Sequence, residues 1–241
     1  MLTRNRLLSE QLKDEIIRML TSEVFETNRL PAESKIAERF NVSSTSVREA
    51  LAMMRDEGLI TKRHGSGNYF HRSVLNAKHR IDQFSGFDKF LEAQGYRVKQ
   101  IISVPSEISV PVGLHKYLEL PAQGKVIYYS CAFFANNNPA IHSDFYLNPI
   151  YIKNPLPKKL AAPIAIYDVI TQYCAEEYAY GNMEYLPLLS TELESEQIKV
   201  PVGIPLVTMG VTYYSRDDHP IAYGMHKFNH SYVTISMISS R

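Results

Sequence analysis

The chain has 241 residues, 45% of them hydrophobic and 21% charged, which is enough for one large domain or for two smaller domains with their own cores. Its net charge of +1 neither indicates nor excludes a nucleic-acid partner. Charges interrupt every apolar run well before the roughly 20 residues that a membrane span needs, so we expect a cytoplasmic protein with no membrane partner.

The first part of the chain contains three stretches with apolar residues at helical spacing. The first follows Leu8, the second lies in RLPAESKIAERF, and the third runs from near Ser44 to Gly58, where a glycine suits a helix C-terminus. Two short strands at 60–63 and 68–70 follow, joined by HGSG, whose glycines permit a tight hairpin. Three helices and a hairpin predict a winged helix-turn-helix domain over residues 1–72.

The third helix begins in VSSTSVREAL, a stretch with four hydroxyl side chains. In a winged helix-turn-helix this turn faces the major groove of DNA. Ser43 is predicted to cap the helix by accepting from the amide of Thr45 or Ser46, which leaves Ser44, Thr45 and Ser46 to donate to phosphates. Arg48 can reach a guanine edge or a phosphate. For this stretch alone, capping without DNA contact is an equally good interpretation.

Residues 8–72 resemble the N-terminal domain of the GntR family of bacterial transcription regulators. LPAESKIAERF, NVSSTSVREAL, EGL and HGSGNYF stand in the order and spacing of the family motifs LP-S-E-R-x-LA, VSRTTVREAL, EGL and HGxGxFV. The family usually has arginine at the positions of Ser34 and Ser44, so we expect an operator that differs from the commonest family sequence. The DNA contacts that the resemblance and the hydroxyl pattern together suggest are Ser34, Lys35, Ser43, Ser44, Thr45, Ser46, Arg48, Lys62, Arg63, His64 and Gly65.

Residues 73–82 are polar and without periodicity, and we interpret them as a linker to a second domain at 83–241. After a short helix in SGFDKFLEAQGY, segments rich in Tyr, Val, Ile and Phe predict strands, and 15 of the 16 tyrosines lie in this part. Two blocks repeat after about 80 residues: KYLELPAQGKVIYY resembles EQIKVPVGIPLVTM, and ANNNPAIH resembles RDDHPIAY. The repeat predicts one pseudo-symmetric antiparallel sheet and hence an α+β chain.

The second domain resembles the UTRA domain, the effector-sensing module of the HutC subfamily of GntR regulators, which shares its fold with chorismate lyase. Two arginines of sugar-phosphate-sensing relatives fall at Cys131 and Phe133, and a serine falls at Ala165. The resemblance therefore implies a small-molecule effector that is not a conventionally bound sugar phosphate. The candidate pocket residues are aromatic or weakly polar: Cys131, Phe133, His142, Asp144, Tyr146, Tyr167, Tyr223 and Phe228. Since alternate strand positions face opposite sides, roughly half of them are not expected to line one cavity.

The resemblance implies a homodimeric regulator, by default a repressor, that binds an inverted-repeat operator in double-stranded DNA and responds to the effector. Two alternatives stay open: a lyase-like enzyme in the second domain, and a protein–protein interaction module whose winged helix does not bind DNA. No nucleophile, base and acid can be assembled from the spacing. His226 and His230 lie four apart in a predicted strand, about 13 Å, so no catalytic residue, metal or cofactor is expected.

Overall fold

The computed structural model describes residues 7–77, 80–81 and 86–238. The chain divides into two compact units, Met1–Asp82 with Ser236–Arg241, and Gln83–Ile235. The stretch interpreted as a linker, 73–82, contains part of a short helix within the first unit, and its residues 78, 79 and 82 lie outside the described residues. The C-terminal residues from Ser236 group with the first unit, although they were expected in the second domain.

The first unit is a winged helix-turn-helix, as predicted. Its elements are α1 (Leu8–Ser22), α2 (Glu33–Phe40), α3 (Ser44–Asp56), β1 (Ile60–Arg63), β2 (Gly67–Phe70) and α4 (Arg72–Leu75). The apolar stripes of the first three helices meet the wing in one core: Leu12, Ile16, Met19, Leu20, Leu30, Ile36, Val47, Ala50, Leu51, Met54, Leu59, Ile60 and Phe70. Burial of these side chains fixes how α3 and the wing are presented.

Two left-handed residues set the ends of the helices in this unit. Asn41 ends α2 with φ 51°, which gives the tight turn into α3. Gly58 follows α3 with φ 68°, and the Leu59 amide then donates to the Met54 carbonyl at 2.9 Å. Glycine is favoured at position 58 because it adopts this conformation without a Cβ penalty. The chain therefore turns directly from α3 into the wing.

The second unit is built on a seven-stranded sheet. Its elements are α5 (Phe87–Ala93), β3 (Val98–Ile102), β4 (Ser106–Ser109), α6 (His115–Leu118), β5 (Lys125–Ala135), β6 (Asn138–Leu147), a 3-10 turn (Pro149–Tyr151), α7 (Ile166–Tyr173), β7 (Tyr180–Leu189), α8 (Glu192–Ile198), β8 (Pro205–Tyr214) and β9 (Pro220–Phe228). The strand order is β3-β5-β6-β9-β8-β7, β4 also pairs with β5, and all the pairings are antiparallel. β3 ends shortly before Pro105, which has no amide hydrogen for the sheet, and β4 begins directly after it.

The sheet has the internal symmetry that the sequence repeat predicted. Helix α6 and the β5–β6 hairpin correspond to helix α8 and the β8–β9 hairpin, and β6 pairs with β9 at the centre. Both hairpins carry a register shift at the same place, opposite Pro139 and opposite Pro220. A proline has no amide hydrogen for the ladder, so an irregularity beside it relieves the lost bond.

The two faces of the sheet have different surroundings. Tyr129, Cys131 and Phe133 lie on one face, which we call the pocket face, together with their cross-strand partners Phe145 and Ser143. Helices α5 and α7 pack here, since Phe87 and Tyr167 contact rings on this face. Helices α6 and α8 pack on the opposite face. Each side chain of the sheet therefore belongs to one of two separate layers.

Gly210 in β8 is a close-approach position on the opposite face. A Cβ atom at this residue would lie 2.4 Å from the Tyr223 hydroxyl oxygen, which is buried. Gly210→Ala is expected to destabilise the second unit by about 1–3 kcal/mol through overpacking. Urea unfolding followed by tyrosine fluorescence measures this, because the chain has no Trp and 15 of its 16 tyrosines lie after residue 78.

The matched comparison is the double variant Gly210→Ala with Tyr223→Phe. Removing the hydroxyl oxygen removes the nearest clashing atom, so the double variant is expected to lose less stability than the sum of the single variants. Simple additivity of the two losses would contradict the predicted clash.

Candidate nucleic-acid interface and effector pocket

The start of α3 presents the hydroxyl side chains. The Ser46 amide donates to Ser43 Oγ at 3.1 Å, so Ser43 is the N-cap, as predicted. The Ser46 hydroxyl lies 3.0 Å from the Ser43 hydroxyl and is partly buried, so it belongs to the cap. Ser44 and Thr45 are exposed. These two hydroxyls are the ones left to face an anion at the positive end of the helix.

Arg48 projects from the next turn of α3. Its side chain is 72% exposed, and its Nε donates to Glu33 Oε2 at 3.1 Å. An ion pair this exposed contributes little to stability. The carboxylate instead holds the guanidinium beside the start of α2, where Ser34 and Lys35 are also exposed. The arginine is therefore oriented but keeps free donors for a partner.

The wing carries the other predicted contacts. Lys62, Arg63, His64 and Gly65 are all exposed along β1 and the hairpin loop. The Arg63 guanidinium lies over the Tyr69 ring, 4.4 Å from its centroid, which fixes the direction of this cation. Gly65 has φ 69°, a conformation that favours glycine at the tip.

The structure adds one cation that the sequence interpretation missed. Residues 28–30 run alongside β2 of the wing, where Arg29 and Tyr69 form an isolated antiparallel bridge. Leu30 N donates to Asn68 O at 2.8 Å, and Phe70 N donates to Asn28 O at 2.8 Å. Arg29 is thereby placed against the wing, its Nε 3.5 Å from where a Cβ of Gly67 would be. A basic residue directly before the LP motif was the only signal in the sequence.

Arg29 opens onto a groove between the wing and the start of α2. The groove has a volume of about 860 Å³ and includes Arg29, Lys35 and Lys62, with Glu33 as its single acid. None of the three cations has a carboxylate partner among the described residues, whereas Glu33 is paired with Arg48. The groove is therefore electropositive and continues the surface that α3 and the wing present.

In the second unit, a small cavity lies on the pocket face. It is bounded by the starts of α5 and α7 and by strands β3, β5, β6 and β8, and its volume is about 20 Å³. The lining residues are Gly86, Phe87, Asp88, Gln100, Tyr129, Cys131, Phe133, Phe145, Ile164, Ala165, Ile166, Tyr167 and Tyr213. This volume accommodates about one water molecule, so the lining side chains themselves fill most of the cavity.

Three of the eight candidate effector residues meet in this cavity. They are Cys131, Phe133 and Tyr167, and Ala165 lies beside them. The two positions where the resemblance placed arginines therefore do line the cavity, but with a thiol and a phenyl ring. Burial, reinforced by the nearby Asp88 charge, raises the pKa of the Cys131 thiol to about 12, so the thiol is neutral.

Gln100 positions one wall of the cavity. Its amide donates to the Ile164 carbonyl and accepts from the Ile164 amide, both at 2.9 Å, and it also donates to Cys131 Sγ at 3.0 Å. These bonds hold the segment before α7 onto β3. The side-chain amide is thus occupied by the protein. Neither Gln100 nor Asp88 was a candidate from the sequence, because both come from segments far from the predicted hairpins.

His142 and Asp144 lie on the opposite face and do not reach the cavity. Asp144 accepts from the Tyr128 hydroxyl at 2.9 Å and pairs with Lys227 at 3.2 Å. Lys227 also contacts Glu194 of α8 at 3.4 Å. Burial acts to raise the pKa of the Asp144 carboxyl, but the neighbouring His142 ring and Lys227 ammonium outweigh burial and hold it at about 2. This cluster joins the sheet to α8.

Tyr146 and Tyr223 also lie on the opposite face. They border a separate groove of about 280 Å³, where the Tyr223 ring stacks on Tyr117 at 4.5 Å between centroids. Phe228 lies on the pocket face, but it contacts Phe87 from outside the cavity, at 5.8 Å. Five of the eight candidates are therefore not part of the cavity, and for four of them the reason is the alternation of side chains along β6 and β9.

His226 is fully buried on the pocket face, next to the cavity wall. Its Nδ1 lies 2.9 Å from Ser143 Oγ, while its Nε2 has no hydrogen-bond partner among the described residues. The ring packs against Phe87 at 4.7 Å and Phe145 at 5.4 Å between centroids. Burial lowers the pKa of His226 to about 3, so the ring is neutral at physiological pH. An unmet buried polar atom of this kind costs about 1–3 kcal/mol.

The described part of the chain contains neither a membrane-spanning helix nor a cluster of metal-binding side chains. Between residues 7 and 238, apart from the undescribed positions, no helix is long and apolar enough to cross a bilayer. Across the same residues, His, Cys, Asp and Glu side chains form no group of three that could hold a metal ion.

Comparisons with known proteins cover both units. Residues 8–70 match the family described as bacterial regulatory proteins, gntR family, and residues 93–234 match the UTRA domain. The chain is 20% identical to the uncharacterized HTH-type transcriptional regulator YurK of Bacillus subtilis (strain 168), over 88% of this chain and 87% of YurK. It is 20% identical to the mannosyl-D-glycerate transport/metabolism system repressor MngR of Escherichia coli (strain K12), over 98% of this chain and 95% of MngR.

A solved structure shares the fold. The possible transcriptional regulator YydK from Bacillus subtilis aligns with a TM-score of 0.78 and 16% identity, over 98% of this chain and 100% of YydK. The predicted combination of a winged helix-turn-helix and an antiparallel-sheet domain is therefore confirmed by both matched regions.

The buried His226 makes the stability of the second unit depend on pH. In the unfolded chain this ring binds a proton near its ordinary pKa of 6.5, whereas the folded pKa is about 3. Below pH 6.5 the unfolded state therefore binds more protons, and stability falls as pH falls. Between pH 6.5 and 5 the second unit is expected to lose about 2 kcal/mol through this one group.

His226→Gln is expected to remove most of this pH dependence in urea unfolding followed by tyrosine fluorescence. His230→Gln is the matched control, because this histidine is exposed four residues further on and should leave the wild-type dependence in place. A His226→Gln variant with the full wild-type slope would contradict the assignment.

Proposed function

This chain belongs to the gntR family of bacterial regulatory proteins and carries a UTRA domain, and from that membership we propose that it is a ligand-responsive repressor. Proteins of this family are transcription regulators that bind operator DNA and sense small molecules, and they are not enzymes. The relative MngR is named as a repressor of a transport and metabolism system. By analogy, we propose that this chain represses genes that handle its effector.

One observation carries the DNA-binding proposal. The exposed start of α3, the wing and the groove with Arg29, Lys35 and Lys62 form one continuous electropositive surface on the first unit. We propose that α3 enters the major groove with Arg48 as its base reader, and that Ser44, Thr45 and Arg29 bind phosphates. Lys62, Arg63, His64 and Gly65 then follow the adjacent backbone. Ser43 and Ser46 act through the cap.

We propose a homodimer that binds an inverted repeat. One α3 helix reads only a short half-site, and a two-fold dimer presents two such helices to half-sites about one helical turn apart. The DNA-binding domain is proposed to span residues 1–72, the linker 73–82 and the effector domain 83–241. Effector binding would shift the population of linker arrangements away from those that match both half-sites. A regulator of chromosomal operators acts in the cytoplasm.

Arg48→Ala and Arg29→Ala should weaken operator binding in different ways. Loss of a bidentate guanine contact is expected to cost Arg48→Ala about 1–3 kcal/mol in each half-site and to relax specificity at one base pair of each half-site. Arg29→Ala is expected to weaken binding to specific and random duplexes alike. It should reduce the slope of log K against log salt by about 1.8, because each protomer of the dimer loses one phosphate contact. Mobility shifts at several salt concentrations with the chain's own upstream DNA measure both effects.

Arg18→Ala is the matched control, because Arg18 is an exposed arginine on α1 that pairs with Glu15. It should leave affinity and salt slope unchanged. Equal affinity of the wild type for operator and random duplex would contradict the regulator proposal and favour an interaction module. An unchanged salt slope in Arg29→Ala would contradict only the role of Arg29.

The dimer is tested by sedimentation of the chain with and without operator. The free protein is expected at about 55 kDa, twice the chain mass of 27.5 kDa. The complex should protect two half-sites with centres about 10 base pairs apart. A monomer that protects a single half-site would contradict the proposal.

A further inference from the structure

The cavity on the pocket face has an unusual charge balance. Asp88 is its only charged lining residue, and no Lys, Arg or His lines it. None of residues 82–85, which precede α5 in the chain, is Lys, Arg or His either. The Asp88 carboxylate has no hydrogen bond or ion pair with any described residue. The negative charge of this carboxylate affects groups inside the cavity, because it helps to raise the pKa of the Cys131 thiol.

Aromatic residues make up half of the remaining lining. They come from α5, α7 and three strands: Phe87, Tyr129, Phe133, Phe145, Tyr167 and Tyr213. The faces of such rings attract cations, and the attraction grows when the site is shielded from water. Gln100, the one side-chain amide in the wall, is already occupied by Ile164 and Cys131. An anion would meet an unpaired carboxylate here without any cationic partner.

The starts of α5 and α7 would favour an anion, since free amides there carry partial positive charge, but Asp88 itself lies in the first turn of α5. At α7, Asp168 already offsets the partial positive charge, because its Oδ2 accepts from the Ala165 amide at 3.2 Å. The balance of the cavity is therefore negative.

We propose that the effector pocket of this chain takes a small organic ammonium ion, held by the Asp88 carboxylate and the surrounding aromatic faces, with the Phe87 ring moving aside to admit it. The proposal rests on the effector-binding function proposed above and names the chemical class of the effector. It differs from a sugar-phosphate pocket in the sign of the charge that is recognised.

An organic ammonium ion can enter the cavity only if Phe87 moves, because the cavity is too small for it. The cavity of about 20 Å³ holds one water molecule, whereas ligand sites take a few hundred Å³. Phe87 is the first residue of a seven-residue helix that has no side-chain cap. Its ring fills the space between Phe133, at 5.5 Å, and His226, at 4.7 Å between centroids. The His226 ring, whose Nε2 has no hydrogen-bond partner among the described residues, lies directly behind the Phe87 ring.

The test uses three probes of one shape: benzylamine, benzyl alcohol and benzoate, with glucose 6-phosphate as the phosphate probe. At 10 mM, roughly ten times a dissociation constant of about 1 mM, benzylamine is expected to raise the melting midpoint of the full-length chain by about 3 °C. Benzyl alcohol should raise it less, and benzoate and glucose 6-phosphate should not raise it. Equal or larger shifts with either anion, or no shift with benzylamine, would overturn the proposal.

Substitutions on α5 test which residues produce the rise in the melting midpoint. Asp88→Asn should lose the extra shift of benzylamine over benzyl alcohol but keep the benzyl alcohol response, which shows that the pocket is intact. Glu92→Gln, which removes an exposed acid on the same helix, should respond like the wild type. Phe87→Leu should bind benzylamine several-fold more tightly by calorimetry, since less bulk must be displaced. Unchanged or weaker binding would contradict the role of Phe87.

The two proposals fail separately. A wild-type chain that binds its operator specifically but is not stabilised by benzylamine keeps the regulator function and loses the ammonium class. A chain that is stabilised by benzylamine through Asp88 but does not discriminate operator from random DNA keeps the pocket chemistry and loses the regulator function.

Discussion

The pairing of β6 with β9 is the constraint on which the second unit depends. It joins the two halves of the repeat from Ile141 opposite Phe228 to Leu147 opposite Ala222. It also assigns every central side chain to a face, with Ser143 and His226 on the pocket side and Asp144 on the other. A slip of one residue would exchange the two faces and expel the pocket rings from the core. The register shifts opposite Pro139 and Pro220 lie just before the paired residues of β6 and β9. Together they determine which side chains of these two strands face the pocket.

The first unit could be predicted closely because its signals are local. The Ser43 cap, the Gly58 turn and the hairpin glycines each act within a few residues, and the structure has all of them. What escaped prediction depends on long-range pairing. Arg29 reaches the surface that we propose for DNA binding only because residues 28–30 join the wing next to β2, about 40 residues further along the chain. The groove between the wing and α2 could not be predicted for the same reason, because its two sides are far apart in the sequence.

In the second unit, the repeat predicted the sheet but not its faces. Cys131 and Phe133 could be mapped to the pocket because they lie on one strand, two residues apart, at a fixed distance from a hairpin proline. His142 and Asp144 lie beyond the register shift, where counting along the sequence no longer tells which face a side chain occupies. Asp88 and Gln100 come from α5 and β3, and only the tertiary fold brings them to the cavity. Their roles therefore depend on contacts that no local pattern encodes.

Both units lack arginines that the family resemblance leads one to expect, and the local charge balance decides what each loss means. Beside Ser34, the groove holds Arg29, Lys35 and Lys62 against one paired acid, so the surface stays electropositive, and we propose that it binds phosphates through altered contacts. Beside Cys131 and Phe133 no cation replaces the lost charge, and Asp88 makes the cavity negative. We therefore propose that the same type of substitution leaves the class of partner unchanged in the first unit and reverses the charge of the effector in the second.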